Sequence, residues 1–190
     1  MKKSLVSKYM IPFIQWYALM ILIAIGIDFF LHQFNLVFIG RYLGTIGTLL
    51  IIFSFIYSLR KRKLIQSGSP GKLLLLHEYL SWIGSIMLLV HAGIHFNAWL
   101  PWLAILMLLI TVGSGLVGKY LLRRANETLK EKRVSLLQTG ISKEQADKEL
   151  FFDSITVDLM KKWRIVHLPI TLLLGVLVIL HILTIIMYSK

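Results

Sequence analysis

Residues 73–96 read LLLLHEYLSWIGSIMLLVHAGIHF, an apolar stretch that holds three histidines. A bilayer core about 30 Å thick calls for roughly 20 apolar residues in one helix, and this stretch supplies them while keeping imidazoles that hydrocarbon rejects. An ionisable group retained at that cost points to function. His77 and His91 lie 14 positions apart. At about 100° per residue this is nearly four turns, so the two rings share one helix face, about 21 Å apart along the axis. The last apolar stretch, HLPITLLLGVLVILHILTIIMY, repeats the 14-residue interval with His167 and His181. On parallel spans His77 faces His167 and His91 faces His181, one pair towards each membrane surface. Each pair has the chemistry to clamp one haem iron from both sides.

Composition agrees with a membrane location: 57% of the 190 residues are hydrophobic, with a mean hydropathy of +0.75. Several runs are long enough to cross a bilayer, and a spanning chain without a barrel pattern satisfies its backbone as helices. The sequence has no cysteine. That excludes covalent c-type haem attachment, thiolate-held iron–sulfur clusters and internal disulfides, leaving histidine as the natural haem ligand. The net charge of +12 raises the question of nucleic acid, but the charges follow the membrane and no nucleic-acid partner is expected.

In chain order, the basic start with Lys2, Lys3 and Lys8 leads into an apolar run over about 10–31. It is too long for a signal-peptide core and no small-residue cleavage site follows, so a retained first span is expected, with Pro12 in its first turn. A second span runs over about 41–59, stopped by Arg60, Lys61, Arg62 and Lys63, and Ser67-Gly68-Ser69-Pro70-Gly71 is turn chemistry. The third span is 73–96. A short link returns the chain into a fourth span, 101–122, opening at Pro101. The stretch 123–164 holds seven of the nine acidic residues and no long apolar run, so it lies outside the hydrocarbon. In it, Ser142 followed by Gln145 predicts a capping box. Leu150, Phe151, Ile155, Leu159 and Met160 predict an amphipathic helix resting on the membrane surface. The fifth span is 165–188. The expected fold is therefore an all-α integral membrane protein, one domain over 1–190, a five-span helix bundle with an amphipathic insert between spans four and five.

Lysine and arginine placement sets the orientation. The amino terminus, the loop after span two and the insert carry 19 of the 21 basic residues, counting Lys119, and only Arg41 and Lys190 fall on the other side. The basic side is the cytoplasmic one, which leaves the carboxyl terminus outside a cell membrane and runs spans three and five in the same direction. This is the parallel arrangement that the histidine pairs require, and charge gives it without reference to the histidines.

The bland reading of a membrane histidine is a hydrogen bond to a neighbouring helix. Four histidines in two equal pairs on parallel spans favour ligation, because ligands for two stacked haems must recur at a haem-to-haem interval. Each ring's second nitrogen then needs an acceptor. Gly84, midway between His77 and His91, suits either a porphyrin edge or close helix packing. The Gly113, Ser114, Gly115, Gly118 series reads as packing. His95, one turn beyond His91, is open to three roles, as substitute ligand for His91, as a propionate contact or as a neighbour of an external acceptor, and His32 reads as a solvated loop residue. Asp28 and Glu78 are the acids outside the insert; each suits proton exchange near a quinone or pairing with a base. Arg60, Lys72, Lys162 and Arg164 suit haem propionates by charge, although positive-inside anchoring also explains them.

With histidine pairs on the third and fifth spans, the chain resembles the dihaem membrane cytochromes b, especially the ferric-reductase-type transmembrane domain and more loosely the respiratory cytochrome b group. The resemblance covers about 73–187 and implies two b haems, axial ligation by His77, His91, His167 and His181, and electron transfer across the membrane. The departures are five spans where six are usual, and no flavin or nicotinamide domain or Gly-rich dinucleotide fingerprint. Electrons are then expected to enter from a quinol or a separate redox protein; a quinone is one candidate further cofactor, and 123–164 reads either as a docking surface for a cytoplasmic partner or as a solvated charged hairpin. Two other readings stay open: a quinone-reactive anchor subunit of a larger oxidoreductase, and a haem-free proton or metal-ion channel. A transport site would gather polar groups near the midplane, whereas these histidines lie towards the two surfaces.

Overall fold

Five stretches are long and apolar enough to cross a membrane: Phe13–Gln33, Ile39–Lys61, Pro70–Ile94, Trp99–Leu116 and Ile165–Tyr188. The computed structural model describes residues 5–94, 98–117 and 123–188, and among them there is no strand. The elements are α1 (Leu5–Gln33), α2 (Ile39–Ser54), α3 (Ile56–Lys61), α4 (Pro70–Ile94), α5 (Trp99–Leu116), α6 (Arg123–Gln138), α7 (Lys143–Glu149) and α8 (Phe151–Tyr188). The protein is an all-α membrane helix bundle. Many large apolar side chains of the spans face outward, Leu22, Phe29, Leu172 and Ile186 among them. In water this would be an apolar surface far beyond what a soluble protein carries; lipid tails solvate it without penalty.

Contacts divide the chain into two compact units, Met1–Tyr17 with Gly113–Leu172, and Ala18–Val112 with Leu173–Lys190. The divisions fall within α1, α5 and α8.

Local chemistry explains where helices start and stop. At α4, Ser69 accepts from the Lys72 N–H at its hydroxyl and from Leu73 N at its carbonyl, and Pro70 fills the first helical position, where its missing N–H costs nothing. The third span thus begins three residues before the apolar run does. The helix end at α6 is a Schellman turn: Ile141 N bonds Leu136 O and Gly140 N bonds Leu137 O, with Gly140 at φ +84°, a conformation that a side chain resists. The second span, continuous by its sequence pattern, is broken at Phe55 into α2 and α3. The Ser54 hydroxyl donates back to the Ile51 carbonyl at 2.6 Å and Phe55 N closes a tighter turn on Ile52 O. Such back-bonding competes with the regular helix ladder.

The stretch 123–164 forms α6, α7 and the first part of α8. Ser142 caps α7 and accepts from Gln145 N, as the capping-box pattern predicts. Lys132 Nζ reaches Asp153 Oδ2 at 2.6 Å, joining α6 to α8, and Arg133 pairs with Asp147 on α7. The stretch Leu150–Met160, predicted as an amphipathic surface helix, is helical from Phe151 onward but runs without a break into the fifth span. Residues 151–188 are one unbroken helix of 38 residues, about 57 Å long. The reason lies in Lys161, Lys162, Trp163 and Arg164, which continue a helix readily; the first residue able to bend it is Pro169, inside the span. Leu150 and Val157 are buried while Phe151, Phe152, Ile155 and Leu159 are exposed.

This division gives a stability prediction. Leu150→Ala should destabilise the 123–164 region by about 2–4 kcal/mol. Asp147→Ala, which removes only a half-exposed ion pair, should cost less than about 1 kcal/mol. Limited proteolysis of the purified protein, read at 123–164, checks the order: a larger effect from Asp147→Ala would mean that charge rather than burial holds this region.

Candidate functional site

Helices α2 and α4 run antiparallel in a fixed register. His91 Nδ1–H donates to the Gly40 carbonyl at 2.9 Å, and His77 Nδ1–H donates to the Ser54 carbonyl at 3.1 Å. Between them Gly47 meets Gly84, where a Cβ added to either would stand 2.9–3.0 Å from the other's carbonyl oxygen. Positions 40, 47 and 54 of one helix therefore match 91, 84 and 77 of the other, each set at intervals of seven. A seven-residue interval on both partners keeps one seam in contact along two inclined helices. The face of α4 that carries both histidines is the face packed on α2.

Both hydrogen bonds decide a tautomer. A carbonyl only accepts, so Nδ1 must carry the proton and the ring's lone pair sits on Nε2. This is how metal-ligating histidines are held elsewhere: the second nitrogen's bond fixes orientation and raises ligand basicity. The α2 carbonyls are the acceptors whose identity the sequence pattern leaves undefined.

His91 and His181 come together. They are 90 positions apart in sequence, and their ring centres are 6.4 Å apart with planes inclined at 63°. Two nitrogen–metal bonds of about 2 Å each, with roughly 1 Å from each nitrogen to its ring centre, place two axial imidazoles about 6 Å apart. The observed 6.4 Å is close to that separation. The His77 ring stacks on Tyr57 at 5.6 Å and 29°, and the Ser81 hydroxyl lies 3.5 Å from its Nδ1.

His167 belongs to the other compact unit. The fully buried Ser114 places its hydroxyl 2.5 Å from His167 Nδ1, and a Cβ at Gly115 would lie 3.6 Å from the ring's Cε1. Pro169 cannot offer an N–H to the Ile165 carbonyl, and Thr171 donates its hydroxyl to the His167 carbonyl at 2.7 Å. The Gly113–Gly115 series, which reads as simple packing, thus includes the polar partner of a proposed ligand.

Several other predicted roles resolve differently. A Cβ added to Gly84 would stand 3.0 Å from the Gly47 carbonyl oxygen, with Ile51 and Leu50 beside it; of its two readings, close helix packing is the one that the geometry carries. His32 is not in a loop but in the last turn of α1, where Nδ1 donates to the Asp28 carbonyl at 2.9 Å. The Asp28 carboxylate sits 3.2 Å from where a Cβ of Gly93 would be. Arg60 donates Nε–H to Gly68 O at 3.1 Å, closing the loop before α4. Lys162 is exposed. His95, Gly118 and Lys119 lie outside the described residues, as do the side chains of Met160 and Arg164.

Among the described residues, no three of His, Cys, Asp and Glu gather as a metal site. A haem iron asks the protein only for axial ligands, because the porphyrin supplies the equatorial ones, so a pair is the relevant unit. Gly40 and Gly44 had a legible signal. Gly40-Arg41-Tyr42-Leu43-Gly44 is a G-x-x-x-G pattern in an apolar run, which marks close helix approach. Ser114 had none beyond being a small polar residue among glycines. No family model, curated protein or solved structure matches this chain.

Proposed function

We propose that this protein carries electrons across the cell membrane on two b-type haems, one held by His91 and His181 and the other by His77 and His167. The observation that carries the reading is the meeting of His91 with His181 at 6.4 Å between ring centres, with the His91 Nδ1 proton committed to Gly40. A helix-packing histidine needs one hydrogen bond and no second ring opposite it. Here His91 makes that bond to Gly40 and also has a second imidazole close by. For His77 the Ser54 carbonyl does the same tautomer-setting work; its partner His167 is assigned by the repeated 14-residue interval.

A bound haem supplies reversible one-electron chemistry. The chain's own contribution is to present Nε2 from rings that cannot rotate, and to surround them with apolar helix, which disfavours the more highly charged oxidation state. The basic side of the protein faces the cytoplasm in this reading, with the pair His91 and His181 towards the outer surface. An electron moving outward across a membrane that is negative inside gains about 2.3 kcal/mol per 100 mV. The donor is a quinol or a soluble redox protein.

The test is a reduced-minus-oxidised spectrum with haem quantification on the purified protein. Two b haems per chain are expected. A protein that purifies folded without haem, and takes up none when haem is added, overturns the reading.

A further inference from the structure

We infer that helix α2, which carries no ligand, positions His91 through two successive glycines, Gly40 and Gly44, and so sets the ring plane at the outer haem. The inference rests on the haem assignment above and names the residues that tune that one centre.

The geometry is specific to this histidine. A Cβ on Gly44 would stand 2.8 Å from three atoms of the His91 ring, Cγ, Cδ2 and Cε1. Near-equal distance to three ring atoms means that the place a Gly44 Cβ would occupy lies over the flat face of the imidazole. A turn away, the Gly40 carbonyl holds the ring's edge through Nδ1–H. One contact fixes the face and the other fixes the edge, leaving the ring one orientation about its χ2 axis. Any side chain at 44 must push the ring off this seat, and contacts at this separation are ones that real Cβ atoms do not make. The Thr48 hydroxyl donates to the Gly44 carbonyl at 2.8 Å, tying the backbone at 44 to the next turn of its own helix.

The ring plane matters because the relative orientation of two axial imidazoles sets how their π orbitals overlap the metal's, and ligand orientation is among the protein's levers on a metal's redox properties. His77 is seated differently: its ring lies against Tyr57, and the α2 residue at its level, Ser54, is the end of the helix. A change at Gly44 should therefore act on one centre alone.

Gly47 provides the control. A Cβ there is equally crowded, 2.9 Å from Gly84 O and 3.1 Å from Met87 Cβ, with no histidine atom among its nearest neighbours. Gly44→Ala and Gly47→Ala both press on α4, and only the first presses on the ring. The experiment is low-temperature electron paramagnetic resonance and a redox titration on wild type and both variants, each in the full-length, haem-loaded protein. Gly44→Ala is expected to shift the largest g-value and the midpoint potential of the haem that is lost in His91→Ala, leaving the other haem's values in place. Gly47→Ala is expected to lower thermal stability with neither haem's signature moved. Unchanged values in Gly44→Ala, or equal shifts from both variants, overturn the inference while leaving the haem assignment standing.

A measurement on the wild-type protein keeps the inference testable if Gly44→Ala does not fold. Electron–nuclear double resonance after transfer to D2O should show the His91 Nδ1 proton persisting, because its acceptor lies in a packed helix seam. Its immediate exchange would overturn the positioning role of Gly40. A chain that binds no haem at all fails at the earlier reading, and the two failures are therefore distinct.

Discussion

His91→Ala or His181→Ala is expected to remove one b haem completely and leave the other in place, so that haem content falls from two per chain to one. The expectation follows from the separation of the centres. His91 and His181 meet ring to ring, and His77 is about 21 Å further along α4, with its own acceptor at Ser54. In the proposed reading a haem left with a single protein ligand is not retained, and electron transfer from one membrane face to the other should drop to background. His77→Ala and His167→Ala should remove the complementary spectral component. His95→Ala should leave both, since the 14-residue interval is measured from His91. Each variant is read by pyridine haemochrome quantification and by the shape of the reduced-minus-oxidised band. Retention of both haems in His91→Ala, with loss in His95→Ala instead, would move the ligand one turn along the helix.

The spans and their order are legible in the sequence because they depend on one property, apolar length, that each stretch carries by itself. The histidine intervals are legible for a related reason: helical periodicity places residues 14 apart on one face whatever surrounds them. What surrounds the histidines is a different matter. That His91 finds the Gly40 carbonyl depends on α2 lying antiparallel to α4 in one register among several, and a backbone carbonyl leaves no mark in the sequence. The glycines at 40, 44 and 47 did mark a close approach, and the matching interval of seven on both helices is a readable sign of which faces meet. The continuity of α8 was obscured for the opposite reason. Charge separates 151–164 from the span that follows, yet nothing there breaks a helix, and backbone hydrogen bonding runs on through a change of solvent that hydropathy alone treats as a boundary.

Gly84→Leu is expected to have the widest effect of any single change: loss of both haems together, and destabilisation of about 3 kcal/mol or more. Overpacking by a methyl group or two typically costs about 1–3 kcal/mol, and here the nearest atoms include the Gly47 carbonyl at 3.0 Å, which cannot turn aside as a side chain can. The helices must separate instead. Separation at Gly84 acts on both sides of it, because the same seam carries the Gly40–His91 bond seven residues in one direction and the Ser54–His77 bond seven residues in the other. Both imidazoles then lose the acceptor that fixes their tautomer. Gly84→Ala, like Gly47→Ala at the same contact, adds a single methyl group and should lower thermal stability while leaving both haem signatures in place. The result separates the two roles open to this glycine. If it served only as a gap for a porphyrin edge, enlarging it would disturb haem spectra while the melting temperature of the apoprotein stayed fixed; as a point of helix contact, it should lower that temperature even with no haem added.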